Sequence, residues 1–185
     1  MKVIFLDIDG VLNSQMLIEK NTNEKIDINA VKLLKYLIDK SGAVVVLSSG
    51  RRLWFDDNMV TDDAESRYLY DILCQYGITI YGKTPDFSTD EIRTKRTFKD
   101  VKAREIAAWL EKHCDVDKYV ILDDLDLEND QINSNLVQIN GEIGITEEDI
   151  NHAMAILNWK LQYRGSKVNL YINDIPQYKI FTKIA

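Results

Sequence analysis

Two aspartates near the start of the chain, Asp7 and Asp9, follow a short apolar run at residues 3–6. Gly10 comes directly after them, and this pattern predicts a buried strand that ends in a tight turn. Side chains two positions apart on a strand point the same way, so both carboxylates could converge on one ligand. Because two carboxylates that close repel each other, the pair points to a divalent cation such as Mg²⁺.

Two further apolar runs, at residues 43–47 and 119–122, also end in polar side chains. In a parallel sheet the carboxyl ends of the strands meet at one edge, where open α/β sheets bind their ligands. The polar residues that follow the two runs are therefore expected beside Asp7 and Asp9: Ser48, Ser49, Asp123 and Asp124.

This group of side chains is suited to phosphoryl transfer with a metal ion. Four carboxylates favour an oxygen-liganded cation over zinc, because no Cys or His lies beside them in the sequence. The two histidines, His113 and His152, are expected on solvated helix surfaces. The sequence has neither a Ser/His/Asp arrangement nor a GxxxxGK phosphate loop. In such a reaction one aspartate can attack phosphorus, and a second, two residues on, can transfer protons.

The elements that must position these side chains alternate along the chain. Apolar residues recur at helical spacing in four segments, at residues 27–40, 62–76, 99–114 and 146–163. Short apolar runs at residues 78–81 and 136–139 predict two more strands. The alternation predicts an α/β fold, with a three-layer, Rossmann-like parallel sheet and helices on both faces. Residues 14–25 are polar and are expected to be irregular.

The C-terminal residues 166–185 are predicted to form a short β-hairpin, with strands at 168–172 and 179–181 around a turn at 173–176. The length of 185 residues suits a single domain that spans the whole chain, 1–185. The hairpin could cover a sheet edge or serve a homodimer, and the sequence leaves both possibilities open.

The chain is acidic, with a net charge of −7 and a pI near 4.9. This charge argues against a protein that binds nucleic acid tightly over its whole surface. Residues 83–104 form a local exception, because seven basic residues stand there against four acidic ones. The loop predicted at residues 82–97 could form a mobile partial lid over an anionic substrate, or could be a solvated surface loop.

A cytoplasmic location without a membrane partner is expected from the sequence. There is no signal peptide and no apolar run of about 18 residues that could span a membrane. The two cysteines, Cys74 and Cys114, have no metal-binding or disulfide spacing. They are expected to be buried, reduced thiols, which fits a reducing compartment.

Four motifs, in order, resemble those of the haloacid dehalogenase (HAD) superfamily. They are FLDIDGVLN, VVLSSGRR, the lysine in FKDVKAREIAAWL, and VILDDLD. The resemblance spans residues 1–127, and residues 136–157 continue the fold that it implies. The chain is similar to a small subgroup with DGVLN, SS followed by Arg, EIxxWL and ILDD signatures, some of which resemble nucleic-acid-repair phosphatases.

The resemblance implies that Asp7 is the nucleophile and that Asp9 is the general acid and base. It also implies that Asp7, the Asp9 backbone carbonyl, Asp123 and Asp124 hold Mg²⁺. With an aspartate at position 9, the first motif is similar to that of the phosphatase branch of the superfamily. The dehalogenase branch lacks this second aspartate. Asp126 could help through water or could be a solvated loop residue.

The remaining motif residues would contact the phosphoryl group. Ser48 resembles the hydroxyl that binds phosphoryl oxygens, with Ser49 as the alternative if the strand ends one residue later. Lys102 resembles the cation of the third motif, with Lys99 and Arg104 as rivals because that motif is one residue long.

Four residues at the end of the second motif and just after it, two arginines and two aromatic residues, have two interpretations each. Arg51 and Arg52 could grip a second phosphate or the leaving group, or could be surface charges at the start of a helix. Trp54 and Phe55 could stack on a base, although core packing is the commoner role.

The function implied is that of a hydrolase, a Mg²⁺-dependent phosphomonoesterase that forms an aspartyl-phosphate. Members of the superfamily commonly select substrates with a cap domain inserted at one of two points, which here lie between Asp9 and Asp27 and between Ser48 and Lys102. Neither segment has room for a full cap domain, so the site resembles the open, capless or minimal-cap type. The substrate is expected to be a phosphorylated small molecule or a nucleic-acid end. The alternatives are a nucleotide or polynucleotide end phosphatase, and a non-catalytic binding module that keeps the fold.

Overall fold

A five-stranded parallel sheet forms the centre of the structure, a computed structural model that describes residues 1–20, 25–158, 160–164 and 167–171. The strands are β1 (Lys2–Leu6), β2 (Val44–Leu47), β3 (Ile80–Lys83), β4 (Lys118–Asp123) and β5 (Leu136–Gln138). They lie in the order β3-β2-β1-β4-β5, and every neighbouring pair is parallel. The predicted α/β fold with a parallel sheet is confirmed.

Seven helices connect or follow these strands within the described ranges. They are α1 (Gln15–Glu19), α2 (Ile28–Ser41), α3 (Ala64–Gln75), α4 (Asp90–Lys95), α5 (Phe98–Glu111), α6 (Asp130–Asn133) and α7 (Glu147–Asn158), and a 3₁₀ turn spans Gly50–Trp54. None of the helices within the described residues is long and apolar enough to cross a membrane.

Two hydrophobic cores, one on each face of the sheet, give the fold its three layers. Along β1 the side chains alternate, so Ile4 and Leu6 pack into one core while Val3 and Phe5 pack into the other. The first core takes buried residues from α2, α3 and α7, and the second takes them from α5 and α6. The central strands are buried on both faces, which is why they read as continuous apolar runs.

Helix boundaries follow the capping signals in the sequence. The Asp27 side chain accepts a hydrogen bond from the Asn29 amide at the start of α2, and Gly42 ends that helix with a φ of 68°. Before α7, the Thr146 hydroxyl and the Asp149 carboxylate cap each other's backbone amides. Both ends of α2 and the start of α7 therefore lie where the sequence predicts them.

The structure differs from the sequence predictions at two connections. Residues 14–20 contain α1, whose start is capped by Ser14, where an irregular stretch was predicted. Residues 82–97 are not simply a loop, because β3 extends to Lys83 and α4 follows a Thr89 cap. Both helices are short and bury no residue, so hydrophobic periodicity could not reveal them.

The C-terminal prediction was wrong in its pairing. A helix was predicted to residue 163, but α7 ends at Asn158 and β6 (Lys160–Arg164) pairs antiparallel with β7 (Lys167–Tyr171). Polar and apolar residues alternate from position 160 to 164, a period that favours a strand over a helix. The segment predicted to pair with 179–181 pairs instead with β6. Residues 172–185 lie outside the described part of the chain, as does Trp159, for which the helical spacing predicts a place in the core.

Both cysteines are exposed, which corrects the prediction that they are buried. Cys74 follows the buried Leu73 on α3, and one residue of a helix turns a side chain by about 100°, away from the core. Cys114 lies beyond the end of α5. His152 is exposed as expected, whereas His113 is half-buried and stacks on Trp109 with ring centroids 3.6 Å apart.

Candidate active site

The carboxyl ends of three neighbouring strands bring the predicted site residues to one edge of the sheet. Asp7 follows β1, Asp123 ends β4, and Ser48 follows β2. The Asp7 amide donates to the Leu122 carbonyl at 2.9 Å, and the Ser48 amide donates to the Leu6 carbonyl at 3.0 Å, so pairing continues up to the site. Because β2 and β4 flank β1 on opposite sides, Asp7 sits where the strand order reverses, a common place for ligand sites.

The turn after β1 fixes the direction of Asp7. Its Oδ1 accepts a hydrogen bond of 2.8 Å from the Ile8 amide, and the Ile8 side chain is fully buried. Gly10 adopts a φ of 79°, and a Cβ built there would lie 2.6 Å from the Asp124 Oδ2. Only glycine fits this position, because any side chain would strain the backbone and collide with Asp124.

Three carboxylates and one ammonium group form the centre of the site. Asp7, Asp123 and Asp124 each offer an oxygen atom, and these atoms all lie within 4.8 Å of one another. Lys102 on α5 donates to Asp7, in a short contact, and to the Asp123 Oδ2 at 2.7 Å. Asp7, Lys102 and Asp123 are almost fully buried. The geometry thus brings together residues from the first, third and fourth motifs.

Burial and mutual repulsion shift the protonation equilibria in this cluster. Burial, with the nearby Asp7 charge, raises the pKa of Asp123 to about 7. The same two causes raise the pKa of Asp124. Burial acts to lower the pKa of Lys102, but the charges of Asp7 and Asp123 outweigh it, and the net shift is upward. Lys102 is therefore a permanent cation at neutral pH.

The donor set of the cluster fits Mg²⁺. All three side chains present oxygen atoms, the ligand type that this ion prefers. When all three are ionised, Lys102 compensates one negative charge and leaves two, which a divalent cation would neutralise. The cluster is consistent with the metal site of a HAD fold.

Asp9 lies apart from the carboxylate cluster. Its side chain is exposed, receives hydrogen bonds of 2.8–3.2 Å from Arg51, and accepts another of 2.8 Å from Asn13. The expected convergence of Asp7 and Asp9 assumed a continuing strand, but β1 ends at Leu6 and the turn separates the two carboxylates. Both side chains still line one cleft.

The pKa of Asp9 is lowered below its ordinary value. Partial burial acts to raise it, but the hydrogen bonds from Arg51 and Asn13 and the positive charge of Arg51 outweigh that effect. Asp9 is therefore ionised while Arg51 is bound to it. The Asp9 backbone carbonyl as a Mg²⁺ ligand stays a prediction.

The two serines after β2 have different surroundings. The Ser49 hydroxyl accepts a hydrogen bond of 3.3 Å from the Arg51 amide and caps the 3₁₀ turn. Ser48 is 1% exposed, and its hydroxyl finds no hydrogen-bond partner among the described residues. A buried polar atom without a partner is costly, which makes Ser48 the serine with a free group for a ligand.

Arg52 is buried, and its guanidinium forms hydrogen bonds with five protein groups. Its guanidinium donates to the Glu105 carboxylate at 2.6 Å. It also donates to four backbone carbonyls at 2.9–3.5 Å, those of Ser48, Ser49, Thr84 and Pro85. These five acceptors match the five N–H donors of an arginine, which favours a positioning role over a grip on phosphate.

The remaining sequence candidates lie away from the cluster. Lys99 pairs with Glu128 at 3.0 Å, and Arg104 pairs with Asp100 at 3.1 Å, so neither reaches Asp7 as Lys102 does. Asp126 is exposed and accepts hydrogen bonds from its own loop and from Asn133, which favours the solvated-loop interpretation.

The aromatic pair after the 3₁₀ turn divides between core and surface. Phe55 is in the core, as expected, whereas Trp54 is 63% exposed, contrary to the expectation of core packing. The 3₁₀ turn ends at Trp54 and leaves it outside the core, so the two neighbours face different surroundings.

A cleft of about 560 Å³ opens beside the cluster. Its walls include Asp7, Asp124 and Lys102 from the cluster, together with Arg93 and Arg96 from the α4 segment. Its volume lies within the range of roughly 300–1,000 Å³ that is usual for small-molecule sites.

Two residues that support the site were missed at the sequence level. Asn13 holds the Asp9 carboxylate, and Glu105 holds Arg52. Glu105 lies three residues after Lys102, and that helical spacing places both on one face of α5. This spacing could have indicated that Glu105 lies near the site. The contact between Glu105 and Arg52 could not be predicted in this way, because it joins positions 53 apart in the sequence and depends on the fold.

The comparison with protein families identifies the chain. Residues 3–150 match the HAD domain in Swiss Army Knife RNA repair proteins. Comparisons with curated proteins and with solved structures find no match. The matched range holds the five strands of the parallel sheet except for Lys2, the first residue of β1, and every side chain of the carboxylate cluster. The chain therefore belongs to the family of HAD domains of Swiss Army Knife RNA repair proteins.

Proposed function

We propose that this chain is a Mg²⁺-dependent phosphatase that removes terminal phosphates from RNA ends through an aspartyl-phosphate on Asp7. The observation that carries the proposal is the buried Lys102, bound to both Asp7 and Asp123 beside a third carboxylate. Burying so much charge is costly for a purely structural purpose, and perturbed carboxylates in a cleft are typical of active sites.

Before the reaction, the chain's own residues orient the nucleophile. The Ile8 amide and Lys102 hold the two oxygens of Asp7, and the Ser48 hydroxyl is free to donate to a phosphoryl oxygen. Mg²⁺ bound by Asp7, Asp123 and Asp124 would supply positive charge that offsets the charge of the incoming phosphate.

The first chemical step transfers the phosphoryl group to the enzyme. A carboxylate oxygen of Asp7 forms a bond to phosphorus while the bond from phosphorus to the leaving oxygen breaks. Asp9 first takes up a proton from solvent once Arg51 has released its carboxylate, and then gives that proton to the leaving oxygen. Arg51 has to release Asp9 for this, and a substrate phosphate offers that guanidinium a second anionic partner.

The second step regenerates Asp7. Asp9, now a carboxylate, accepts a proton from water as the water oxygen bonds to phosphorus. The bond between phosphorus and Asp7 breaks, and inorganic phosphate leaves with Asp7 restored as a carboxylate.

The polynucleotide-end alternative has better support than a small-molecule substrate. The family is described by RNA repair, and arginines line the cleft of this otherwise acidic chain. A local cationic wall can bind an anionic polymer end without making the whole surface basic.

The experiment compares three phosphorylated substrates at equal Mg²⁺: 5′- or 3′-phosphorylated oligoribonucleotides, free nucleotides and sugar phosphates. We expect the oligoribonucleotides to have the highest kcat/KM, and EDTA to abolish release of phosphate. Asp7→Asn should lower kcat by about 10³-fold or more, whereas the exposed control Asp115→Asn should not. Turnover by well-folded Asp7→Asn would overturn the nucleophile assignment, and no turnover on any substrate would favour a binding module.

A further inference from the structure

The cleft beside the carboxylate cluster extends along a wall formed by the α4 segment. Arg93, Arg96 and Phe98 line this wall. Arg93 pairs with Asp86 at 2.6 Å. The Arg96 guanidinium takes part in none of the hydrogen bonds or ion pairs found among the described residues, and its side chain is exposed. A guanidinium with free donors at the side of a phosphate-processing cleft is suited to a second phosphate.

Arg96 is the C-terminal cap of α4. It has a φ of 54°, the left-handed value with which many helices end, and its amide donates to the Ile92 carbonyl. The Thr97 amide also donates to the Ile92 carbonyl, at 3.2 Å. The cap places Arg96 just beyond α4, on the wall of the cleft.

An apolar patch adjoins the same cleft. Leu53, Trp54 and Val60 are 43%, 63% and 55% exposed, and we refer to them as the Trp54 patch. Leu53 lines both the catalytic cleft and a neighbouring pocket that contains Trp54 and Val60, and the walls of that pocket also include three aspartates, Asp56, Asp62 and Asp63. The patch therefore continues from the cleft, and Trp54 is its largest aromatic surface.

We infer that Arg96 and the Trp54 patch form a binding subsite for the nucleotide next to the phosphate that Asp7 attacks. Arg96 binds the phosphodiester that joins the last two nucleotides, and Trp54 stacks on an unpaired base. A cationic wall with an adjoining aromatic surface is the combination that recognises single-stranded nucleic acid without reading its sequence. This inference rests on the proposed function and adds that the end must be single-stranded.

The charges around the subsite favour a nucleotide whose phosphate meets Arg96 and whose uncharged base meets Trp54, because the aspartates beside the Trp54 patch would repel a phosphate there. A peptide or a second copy of this acidic chain could cover the Trp54 patch, but neither offers a regularly placed anion to Arg96. Mutations in the patch that change self-association rather than RNA binding would identify the second copy as the occupant, and would overturn the inference.

The first test measures binding, so that it does not depend on turnover. The Asp7→Asn protein is titrated with 5′- or 3′-phosphorylated mono-, di- and trinucleotides and a ten-residue single strand, with Mg²⁺ present. We expect the step from mono- to dinucleotide to tighten Kd by about 100-fold, as one charge-assisted contact and one stacked base allow. The added Arg96→Gln substitution should remove the part of that gain that comes from the phosphodiester contact, about tenfold.

Lys95→Gln provides the matched control for Arg96. Lys95 is exposed on the same helix and pairs with Glu91 at 2.6 Å, but it does not line the cleft. For the ten-residue strand, Arg96→Gln should also reduce the salt slope of log K by about 0.7, the value for one phosphate contact on a single strand. Equal effects of the two substitutions would overturn the assignment of Arg96.

The second test addresses the base. Trp54→Ala should weaken binding of a base-bearing end by roughly 5- to 100-fold relative to an end with abasic terminal nucleotides, because stacking is lost. Trp54→Phe should keep part of that preference, and Tyr36→Ala, which removes an exposed aromatic residue on α2, should keep all of it. A blunt duplex end should bind the protein more weakly than a single strand.

The outcomes separate the two proposals. Phosphate release from RNA ends with no dependence of Kd on length or base would overturn the subsite and keep the phosphatase. Length- and base-dependent binding without phosphate release by the unsubstituted protein would overturn the phosphatase and keep the subsite.

Discussion

Ser48 and Ser49 are neighbours with opposite relations to the rest of the fold. Ser49 satisfies its hydrogen bond within the turn that it caps, whereas the Ser48 hydroxyl is buried without a partner. A buried polar side chain that has no hydrogen-bond partner and lies beside the proposed nucleophile typically serves a ligand. Substituting each serine in turn therefore tests which of the two hydroxyls binds the phosphoryl group.

Ser48→Ala should leave the free energy of unfolding unchanged or slightly higher, because it removes a hydroxyl that has no partner. It should lower kcat/KM by about 10- to 100-fold if that hydroxyl binds a phosphoryl oxygen. Ser49→Ala should instead cost about 1 kcal/mol of stability, the usual loss for a capping side chain. Urea denaturation and steady-state kinetics on the two variants measure these effects. The reverse pattern would make Ser49 the phosphate ligand.

Gly10 is required by both its backbone and its neighbour. Gly10→Ala should abolish activity, because the new Cβ would force Asp124 out of the cluster from a distance of 2.6 Å. Gly42→Ala is the control, since Gly42 also has a positive φ but nothing within 4 Å of an added Cβ. It should cost about 1 kcal/mol, the strain of a left-handed residue alone, with activity retained. Mg²⁺-dependent activity and urea denaturation compare the two, and an active Gly10→Ala would contradict the close approach.

At the scale of elements, a buried ion pair joins the turn after β2 to α5. Arg52 and Glu105 tie the carbonyls of Ser48 and Ser49 to the helix that carries Lys102. Glu105 also accepts a hydrogen bond of 2.8 Å from the Phe87 amide. One interaction network thus sets the distance between the second and third motifs.

Glu105→Gln should cost roughly 3–5 kcal/mol of stability, because it leaves the Arg52 charge buried without its partner. Arg104→Gln, one residue away on the exposed face, breaks a surface pair with Asp100 and should change stability by about 0.5 kcal/mol at most. Urea denaturation of both variants gives the comparison. Similar small losses for the two variants would show that the buried pair contributes little.

At the scale of the whole molecule, the carboxylate cluster should make stability depend on pH and on metal ions. The pKa of Asp123 is raised to about 7 without metal, above its ordinary value of 3.8. The folded, metal-free protein therefore holds a proton that the unfolded chain has lost between these pH values. That contribution to stability is complete below about pH 4 and is lost as the pH rises through 7.

Mg²⁺ should reverse this loss, because it binds the ionised carboxylates. We expect millimolar Mg²⁺ to raise Tm by several degrees at pH 8 and by much less at pH 5.5, as measured by thermal denaturation. Asp124→Asn should remove most of the response at pH 8, and the exposed Asp115→Asn should keep it. An equal shift in Tm at both pH values would contradict the assignment of these carboxylates as ligands.

The sequence alone was sufficient to predict a parallel sheet and the polar side chains at its carboxyl edge. The strands β1, β2 and β4 are buried on both faces, so each appears as an unbroken apolar run that ends in the polar residues of the site. The short helices α1 and α4 bury nothing, and no periodicity marked them. Trp54 could not be separated from Phe55, because local pattern does not tell which of two adjacent aromatic residues reaches the core.

The sequence by itself determined the family, the order of the four motifs and the meeting of Asp7 and Asp123 at one sheet edge, since these follow from the motifs, local pattern and parallel pairing. The resemblance implied Lys102 as the cation of the third motif, and only the tertiary structure showed that Lys102, and neither Lys99 nor Arg104, contacts both carboxylates. Only the structure, too, showed that Arg51 binds Asp9 and that Arg52 binds Glu105. Each of these contacts joins side chains from different elements, 21 to 95 positions apart. Their partners depend on how the helices and turns pack against the sheet, which no local signal encodes.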